Sequence, residues 1–358
     1  MQGSDAGVGD RELIHILAGV RRKYDIPAMA AAVLTGQGLQ KIAAIGTRKY
    51  GTDVPVTLYD LWHLGSDTKI MTSTIVAHLV EQRKLAWTLT AQEVFTDLVS
   101  GFNPEARNIT VLQLLSHVAG LPANVDYDAI DRSIPVHAQR IEAVKMGLHY
   151  KPLSAPGTQY LYSNLGYIVV GAMIEDVLDI DWETAMAQYV FTPLKMSSAG
   201  FGGLGTAGNI DQPWGHGQTN TPNDLSGPEA DNPPVMGPAG RVHCTIQDWA
   251  LYISDQLRGA RGDSALLKPE SYQMLQSTHF GEEYGLGWGV LNRDWAGGKA
   301  LMHAGSNGMY LSLAWVAPAK NFAILVCANE GLDSFPGADA AVGQIIEVAK
   351  QVCGTQDG

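Results

Sequence analysis

The strand-like stretches of this chain lie at its two ends, with a long helix-patterned stretch between them. Near the start, residues 29–34 and 39–45 are apolar runs parted by Thr35-Gly36-Gln37-Gly38, the pattern of a hairpin. Near the end, apolar and alternating runs return between residues 285 and 328. Residues 10–24 and 338–351 space their apolar side chains as helices do, and the first of these stops ahead of Ile26-Pro27. From residue 66 to 194 helical patterns dominate, broken at Gly120-Leu121-Pro122 and Ala155-Pro156-Gly157. Residues 200–240 are rich in Gly, Pro, Asn and Asp and read as long loops, followed by a helix near 245–257. Both ends should therefore build one sheet with helices, and the middle a mostly helical lobe. The expected division is residues 1–65 and 235–358 for the α/β sheet domain and residues 66–234 for the helical lobe, together one catalytic unit. No internal repeat is present.

Composition narrows the function classes. With 46% hydrophobic and 17% charged residues over 358 positions, the chain can bury a sizeable core. A net charge of −12 without any basic run disfavours nucleic acid, whose phosphates need clustered Lys and Arg. The three cysteines, Cys244, Cys327 and Cys353, are odd in number and widely spaced, which argues against a disulfide framework. The ten histidines contain no H-E-x-x-H, so no metal and no cofactor is expected. His63, His117 and His243 read as packing or hydrogen-bonding residues, and His216 as a solvated loop residue or a cleft-lining one. No apolar stretch approaches the roughly 20 residues of a membrane helix. The first residues lack the apolar core of a signal peptide. The expectation is a soluble protein, cytoplasmic or exported with its leader absent, of open oligomeric state.

The chemistry concentrates in Gly65-Ser66-Asp67-Thr68-Lys69. The following residues 70–81 carry helical spacing, which would set Ser66 at a helix N-terminus and Lys69 one turn later on the same face. A serine hydroxyl becomes a nucleophile when a neighbour takes its proton, and a desolvated lysine can do so. Taken alone, S-x-x-K also describes a capping serine with a surface lysine. Tyr162-Ser163-Asn164 and, downstream, His303-Ala304-Gly305 at the head of a strand-like run complete an ordered set. S-x-x-K, then Y-x-N, then a basic residue-x-Gly is the signature of penicillin-recognising serine enzymes.

The chain thus resembles the class C β-lactamase and low-molecular-mass D,D-peptidase family, with its esterase and D-aminopeptidase relatives. Stretches such as Leu114-Leu115-Ser116-His117-Val118-Ala119-Gly120-Leu121-Pro122 and Tyr284-Gly285-Leu286-Gly287-Trp288-Gly289 extend the resemblance from about Ile26 to Asn329. It implies an α/β (α+β) fold of the β-lactamase/transpeptidase type: an antiparallel sheet flanked by helices beside a helical lobe, with the active site in the cleft between. It implies acyl transfer through Ser66, with Lys69 and Tyr162 moving protons, and Asn164 orienting substrate and holding Lys69. Backbone N–H groups of Ser66 and Ser306 would form the oxyanion hole, beside His303 and Gly305. The implied partner is a small ester, amide or short peptide-like substrate.

Where the β-lactamases of this class carry K-T-G, this chain carries His303-Ala304-Gly305. Histidine is largely neutral at pH 7 and alanine lacks a hydroxyl, so recognition of a penicillin's carboxylate should weaken. His303, when protonated, is expected to read substrate charge. Ester or peptide-like hydrolysis therefore ranks above β-lactam hydrolysis. An acyltransferase and a non-catalytic penicillin- or peptidoglycan-binding protein are the other readings, the last disfavoured by retention of every motif residue. Two mimics are set aside: Gly203-Leu204-Gly205-Thr206-Ala207-Gly208 follows no strand, and Ser306 in Ala304-Gly305-Ser306-Asn307-Gly308 precedes a strand where a nucleophile elbow needs a helix.

Overall fold

The computed structural model describes residues 7–227, 230–263 and 266–354. Its strands are β1 (Gly7–Gly9), β2 (Ala28–Thr35), β3 (Gly38–Gly46), β4 (Leu61–His63), β5 (Gly200–Phe201), β6 (Val242–Thr245), β7 (Gly289–Arg293), β8 (Gly298–Ser306), β9 (Leu311–Ala317) and β10 (Phe322–Ala328). Seven of them form one antiparallel sheet in the order β1-β3-β2-β10-β9-β8-β7. The two ends of the chain meet at its centre, where β2 pairs with β10 and Met29 stands opposite Ala328.

The long helices are α1 (Arg11–Tyr24), α2 (Thr68–Glu81), α3 (Val136–His149), α4 (Asn164–Leu178), α5 (Ile246–Ala260) and α6 (Phe335–Gly354). Asp10 starts α1 by accepting the backbone N–H groups of Glu12 and Leu13, and Arg21, Arg22 and Lys23 answer the dipole in its last turn. Helices α1 and α6 cover one face of the sheet, and α5 packs on the other. β2 and β10 are buried along their whole lengths, so both read as apolar runs rather than as alternation. Their side chains divide between the faces: Met29, Ala31, Val33, Ile324 and Val326 join the α1/α6 core, while Ala30, Ala32, Ala323 and Leu325 join the core on the α5 side. That second core runs continuously into the helical lobe, through α2, α3 and α4. α2 is buried on every side, which is why it shows no amphipathic stripe.

Three details differ from the sequence reading. β4, β6 and β5 form a second, three-stranded sheet, and β5 falls inside the stretch expected to be loops. A strand of two residues is too short to show a period. Ser66 does not open α2 itself: it lies in a 3₁₀ turn, Gly65–Asp67, and α2 begins at Thr68. His216 is neither solvated nor cleft-lining, being fully buried with Nδ1 2.6 Å from the Asn329 carbonyl and Nε2 accepting the Tyr50 N–H at 3.0 Å. Among the described residues no helix is long and apolar enough to cross a membrane, and Cys244, Cys327 and Cys353 form no disulfide.

Glu330, just past β10, is 7% exposed and one of its carboxyl oxygens has no partner. Burial, with the negative charges of Asp333 and Asp25, pushes its pKa up to about 7. The folded state therefore binds a proton that the unfolded state has released, and stability falls as pH rises from the ordinary carboxylate range through 7. Glu330→Gln should stabilise the fold at pH 8 by an amount on the order of 1–2 kcal/mol, seen as a raised Tm, and leave Tm almost unchanged at pH 5. Thermal unfolding at the two pH values checks this; an equal shift at both would remove the ionisation argument.

Candidate active site

Gly65 adopts a left-handed φ of +47°, which turns the chain from β4 into the Ser66 turn. A Cβ at Gly65 would overlap the Ser306 backbone nitrogen and lie 2.6 Å from its carbonyl carbon. On the other side, a Cβ at Gly305 would overlap the Leu64 carbonyl oxygen and lie 2.8 Å from the Asp67 nitrogen. Strand β8 and the nucleophile turn are thus in backbone contact, which two glycines permit. Gly305 is a packing residue here, and any side chain there would displace the Ser66 turn.

Ser66 is half-buried, and two groups point at its hydroxyl. Lys69 Nζ lies 2.9 Å from Ser66 Oγ, and the Tyr162 hydroxyl donates to the same oxygen at 2.8 Å. Lys69 is fully buried, and its Nζ also donates to Asn164 Oδ1 (2.8 Å) and the Ala239 carbonyl (2.7 Å). Burial holds the amine well below the usual lysine range, although the nearby Asp67 carboxylate acts in the opposite direction. Burial also pushes the Tyr162 phenol above its ordinary range. Each of these groups is therefore biased toward its neutral form, an amine beside a phenol.

Tyr162 and Asn164 are held by the loop structure preceding α4. Ser163 caps that helix by accepting the Gly166 N–H (3.0 Å), and its own hydroxyl donates to the Pro122 carbonyl (2.6 Å). His117 Nδ1 accepts the Ser163 N–H at 3.0 Å, and its ring lies 4.4 Å from the Tyr162 ring. His117 is fully buried, held well below the usual histidine range by burial and then by the charge of Lys69, and sits at a φ of +59°. Its strained backbone and its position under Tyr162 mark it as part of the site's frame. The sequence reading of His117 as a packing or hydrogen-bonding residue agrees with this, while its partners Ser163 and Tyr162 could not be read from it.

His303 and Ser306 stand on and at the end of β8. Ser306 Oγ accepts the Gly308 N–H (2.9 Å), which occupies the hydroxyl in a turn. The His303 ring is only 5% exposed; Nδ1 lies 3.3 Å from Asp67 Oδ1, and Nε2 lies 3.4 Å from the Tyr284 hydroxyl. Burial raises the Asp67 pKa against the pull of His303. A cavity of about 440 Å³, lined in part by Asn124, Val125 and Asn232, reaches Asn164 among the motif residues. Among the described residues no group of His, Cys, Asp or Glu is arranged to hold a metal ion.

Comparison with known proteins agrees with this geometry: the profile of the family Beta-lactamase matches residues 13–346. The chain belongs to that family. It is 25% identical over 339 residues to penicillin-binding protein 4 of Amycolatopsis lactamdurans, covering 87% of this chain and 83% of that protein. It is 27% identical over 274 residues to a beta-lactamase of Escherichia coli K12, covering 75% and 67%. It is 25% identical over 367 residues to unguisins hydrolase ungD' of Aspergillus campestris, covering 94% and 65%. The fold is shared with the octameric penicillin-binding protein homologue of Pyrococcus abyssi, with a TM-score of 0.77 at 20% identity over 95% of this chain and 77% of that one. It is also shared with SurE bound to D-Leu, with a TM-score of 0.74 at 22% identity over 94% and 75%. At the level of reaction class, this member of the Beta-lactamase family is a serine hydrolase.

Gly305→Ala tests the backbone contact. Overpacking should cost about 1–3 kcal/mol of stability and depress kcat/KM far more than that loss explains, because the displaced segment carries Ser66. Full activity in a folded Gly305→Ala variant would refute the close-contact requirement.

Proposed function

We propose that the chain hydrolyses small esters, and secondarily peptide-like amides, through an acyl-enzyme on Ser66. One observation carries the reading: Lys69 Nζ and the Tyr162 hydroxyl converge on Ser66 Oγ at 2.9 and 2.8 Å. A neutral Lys69 can donate its two N–H bonds to Asn164 Oδ1 and the Ala239 carbonyl, which leaves its lone pair facing the serine proton. Ser66 Oγ then bonds to the carbonyl carbon as its proton passes to Lys69. The carbonyl oxygen becomes an anion facing the N–H groups of Ser66 and Ser306. The bond to the leaving group breaks as Tyr162 protonates it, and the Lys69 ammonium returns a proton to Tyr162. Water adds to the acyl carbon in the second half, giving its proton to the same pair, and Ser66 is released.

The leaning toward esters rests on what surrounds the site. The position that carries lysine in K-T-G holds a buried histidine, and Ala304 offers no hydroxyl. A β-lactam carboxylate would lose two polar contacts of roughly 1 kcal/mol or more each. Amides stay in second place on the relatives named penicillin-binding protein 4 and unguisins hydrolase.

Three measurements test the proposal. A fluorophosphonate should add once, on the peptide containing Ser66, and Ser66→Ala should abolish labelling and turnover; labelling that moves to Ser306 would refute the nucleophile. Short-chain p-nitrophenyl esters should show a kcat/KM well above that of nitrocefin, and the reverse ranking would make β-lactam hydrolysis the primary activity. For a neutral ester, kcat/KM should rise with pH as the Lys69 ammonium loses its proton, with a midpoint well below the ordinary lysine value of 10.5. Tyr162→Phe should lower the rate and keep that ascending limb, while Lys69→Arg should remove it. A limb that survives in Lys69→Arg places the base elsewhere.

A further inference from the structure

Four side chains outside the motifs, Asp231, His63, Asn307 and Arg241, meet beside the Ser66 turn. Asp231 is 7% exposed and lies 2.9 Å from His63 Nε2, through Oδ1. The same oxygen accepts from Asn307 Nδ2 at 3.0 Å, and Oδ2 accepts from Arg241 Nε at 3.1 Å. His63 is fully buried, and its Nδ1 accepts the Gly65 N–H at 3.0 Å. An imidazole that accepts at Nδ1 carries its proton on Nε2, the nitrogen facing Asp231. Asn307 Oδ1 in turn accepts the N–H groups of Met309 and Tyr310, each at 3.1 Å, and so folds the turn that follows Ser306. Tyr310 stacks on His63 with 6.0 Å between ring centres.

The juxtaposition is unusual in what it connects. Gly65 immediately precedes Ser66, and Asn307 immediately follows Ser306. The strands that precede them, β4 and β8, belong to different sheets and share no hydrogen-bond ladder. Packing at Gly65 keeps the two turns from moving closer. One carboxylate touches both arms and so resists their moving apart. His63, Arg241 and Asn307 hold its pKa below the ordinary carboxylate range against the opposing effect of burial, which favours the ionised form.

We propose that Asp231, acting through His63 and Asn307, is a positioning residue that fixes the spacing of the two backbone N–H donors of the oxyanion hole. The inference rests on the assignment of those donors to Ser66 and Ser306 given above. Its signature is selective. A hole of the wrong width binds a tetrahedral anion poorly while leaving the ground-state carbonyl little changed.

The two nitrogens of His63 can be tested separately. His63→Asn keeps an acceptor near the Gly65 N–H and loses the reach to Asp231; His63→Gln keeps the reach and loses the acceptor. Asp231→Leu removes the link to both arms, and Asn307→Ser, at a half-buried position, is the gentler variant if Asp231→Leu fails to fold. Each variant is assayed for kcat and KM on a p-nitrophenyl ester and for inhibition by phenylboronic acid, which forms a tetrahedral anion on the serine. In every variant kcat should fall roughly 10- to 100-fold, less than the 10²–10³ of a deleted donor. The boronate inhibition constant should rise by a similar factor, and KM should stay within about twofold if it reports ground-state binding. Lowered Tm with an unchanged ratio of boronate to ester affinity would overturn the proposal, because a merely structural role predicts that result. Observation of the boronate adduct on Ser66 in the unmodified protein separates this outcome from failure of the underlying reading: without that adduct, the nucleophile assignment falls first.

Discussion

The site depends on the burial of one amino group. Lys69 stands on α2, a helix enclosed on every side, and its Nζ has no contact with solvent. A cation there would lose its hydration, and the acceptors present are a serine, an amide and a carbonyl rather than a directly bonded carboxylate. Burial thus favours the free amine, the form that can accept a proton from Ser66. The surrounding architecture follows from this need. A helix buried all round must have partners on all sides, and the sheet with α5 on one flank and the helical lobe on the other supply them. The lobe is therefore half of the insulation that favours the neutral form of the lysine.

A second constraint is the contact between β8 and the Ser66 turn. Backbone segments meet this closely only where side chains are absent, and Gly65 and Gly305 face each other's segments across the contact. The glycine that ends the H-A-G motif meets this steric requirement. The same approach brings Ser306 beside Gly65, so that the N–H groups assigned to the oxyanion lie on two chain segments that no common ladder aligns. Such an arrangement needs an external brace, and the buried Asp231 network lies where one would be required.

Much of the fold and the motif chemistry was legible in the sequence. The terminal strands announced themselves because β2 and β10 are buried on both faces and read as apolar runs. Ser66, Lys69, Tyr162 and Asn164 were legible because each must be a particular residue type at a particular spacing, and all four meet within hydrogen-bonding distance. What escaped were features set by contacts distant in sequence. Asp231 lies in a stretch rich in Gly, Pro and Asn, where nothing local distinguishes it from a loop carboxylate. His63 and His117 were correctly read as hydrogen-bonding residues, but their partners, Gly65 with Asp231 and Ser163, emerge only once the chain is folded. The surroundings of His303 were likewise hidden, because they depend on Tyr284 and Asp67, neither of which the H-A-G motif specifies.

The His303 environment also bears on how Lys69 stays neutral. Ser312 has one hydroxyl proton, yet its oxygen lies 2.8 Å from the Leu64 carbonyl and 2.5 Å from Asp67 Oδ2. The hydroxyl donates to both oxygens as a shared contact, which favours the carboxylate, while burial pushes the Asp67 pKa upward, toward the neutral acid. A neutral Asp67 removes the one nearby charge that would favour the lysine ammonium. Lysine at position 303 would bring a permanent cation against Asp67 and draw it into the ionised form; histidine can face the carboxyl without imposing a charge. In this chain the exchange of lysine for histidine is therefore coherent with a buried neutral set, Asp67 with Lys69, arranged directly behind the nucleophile.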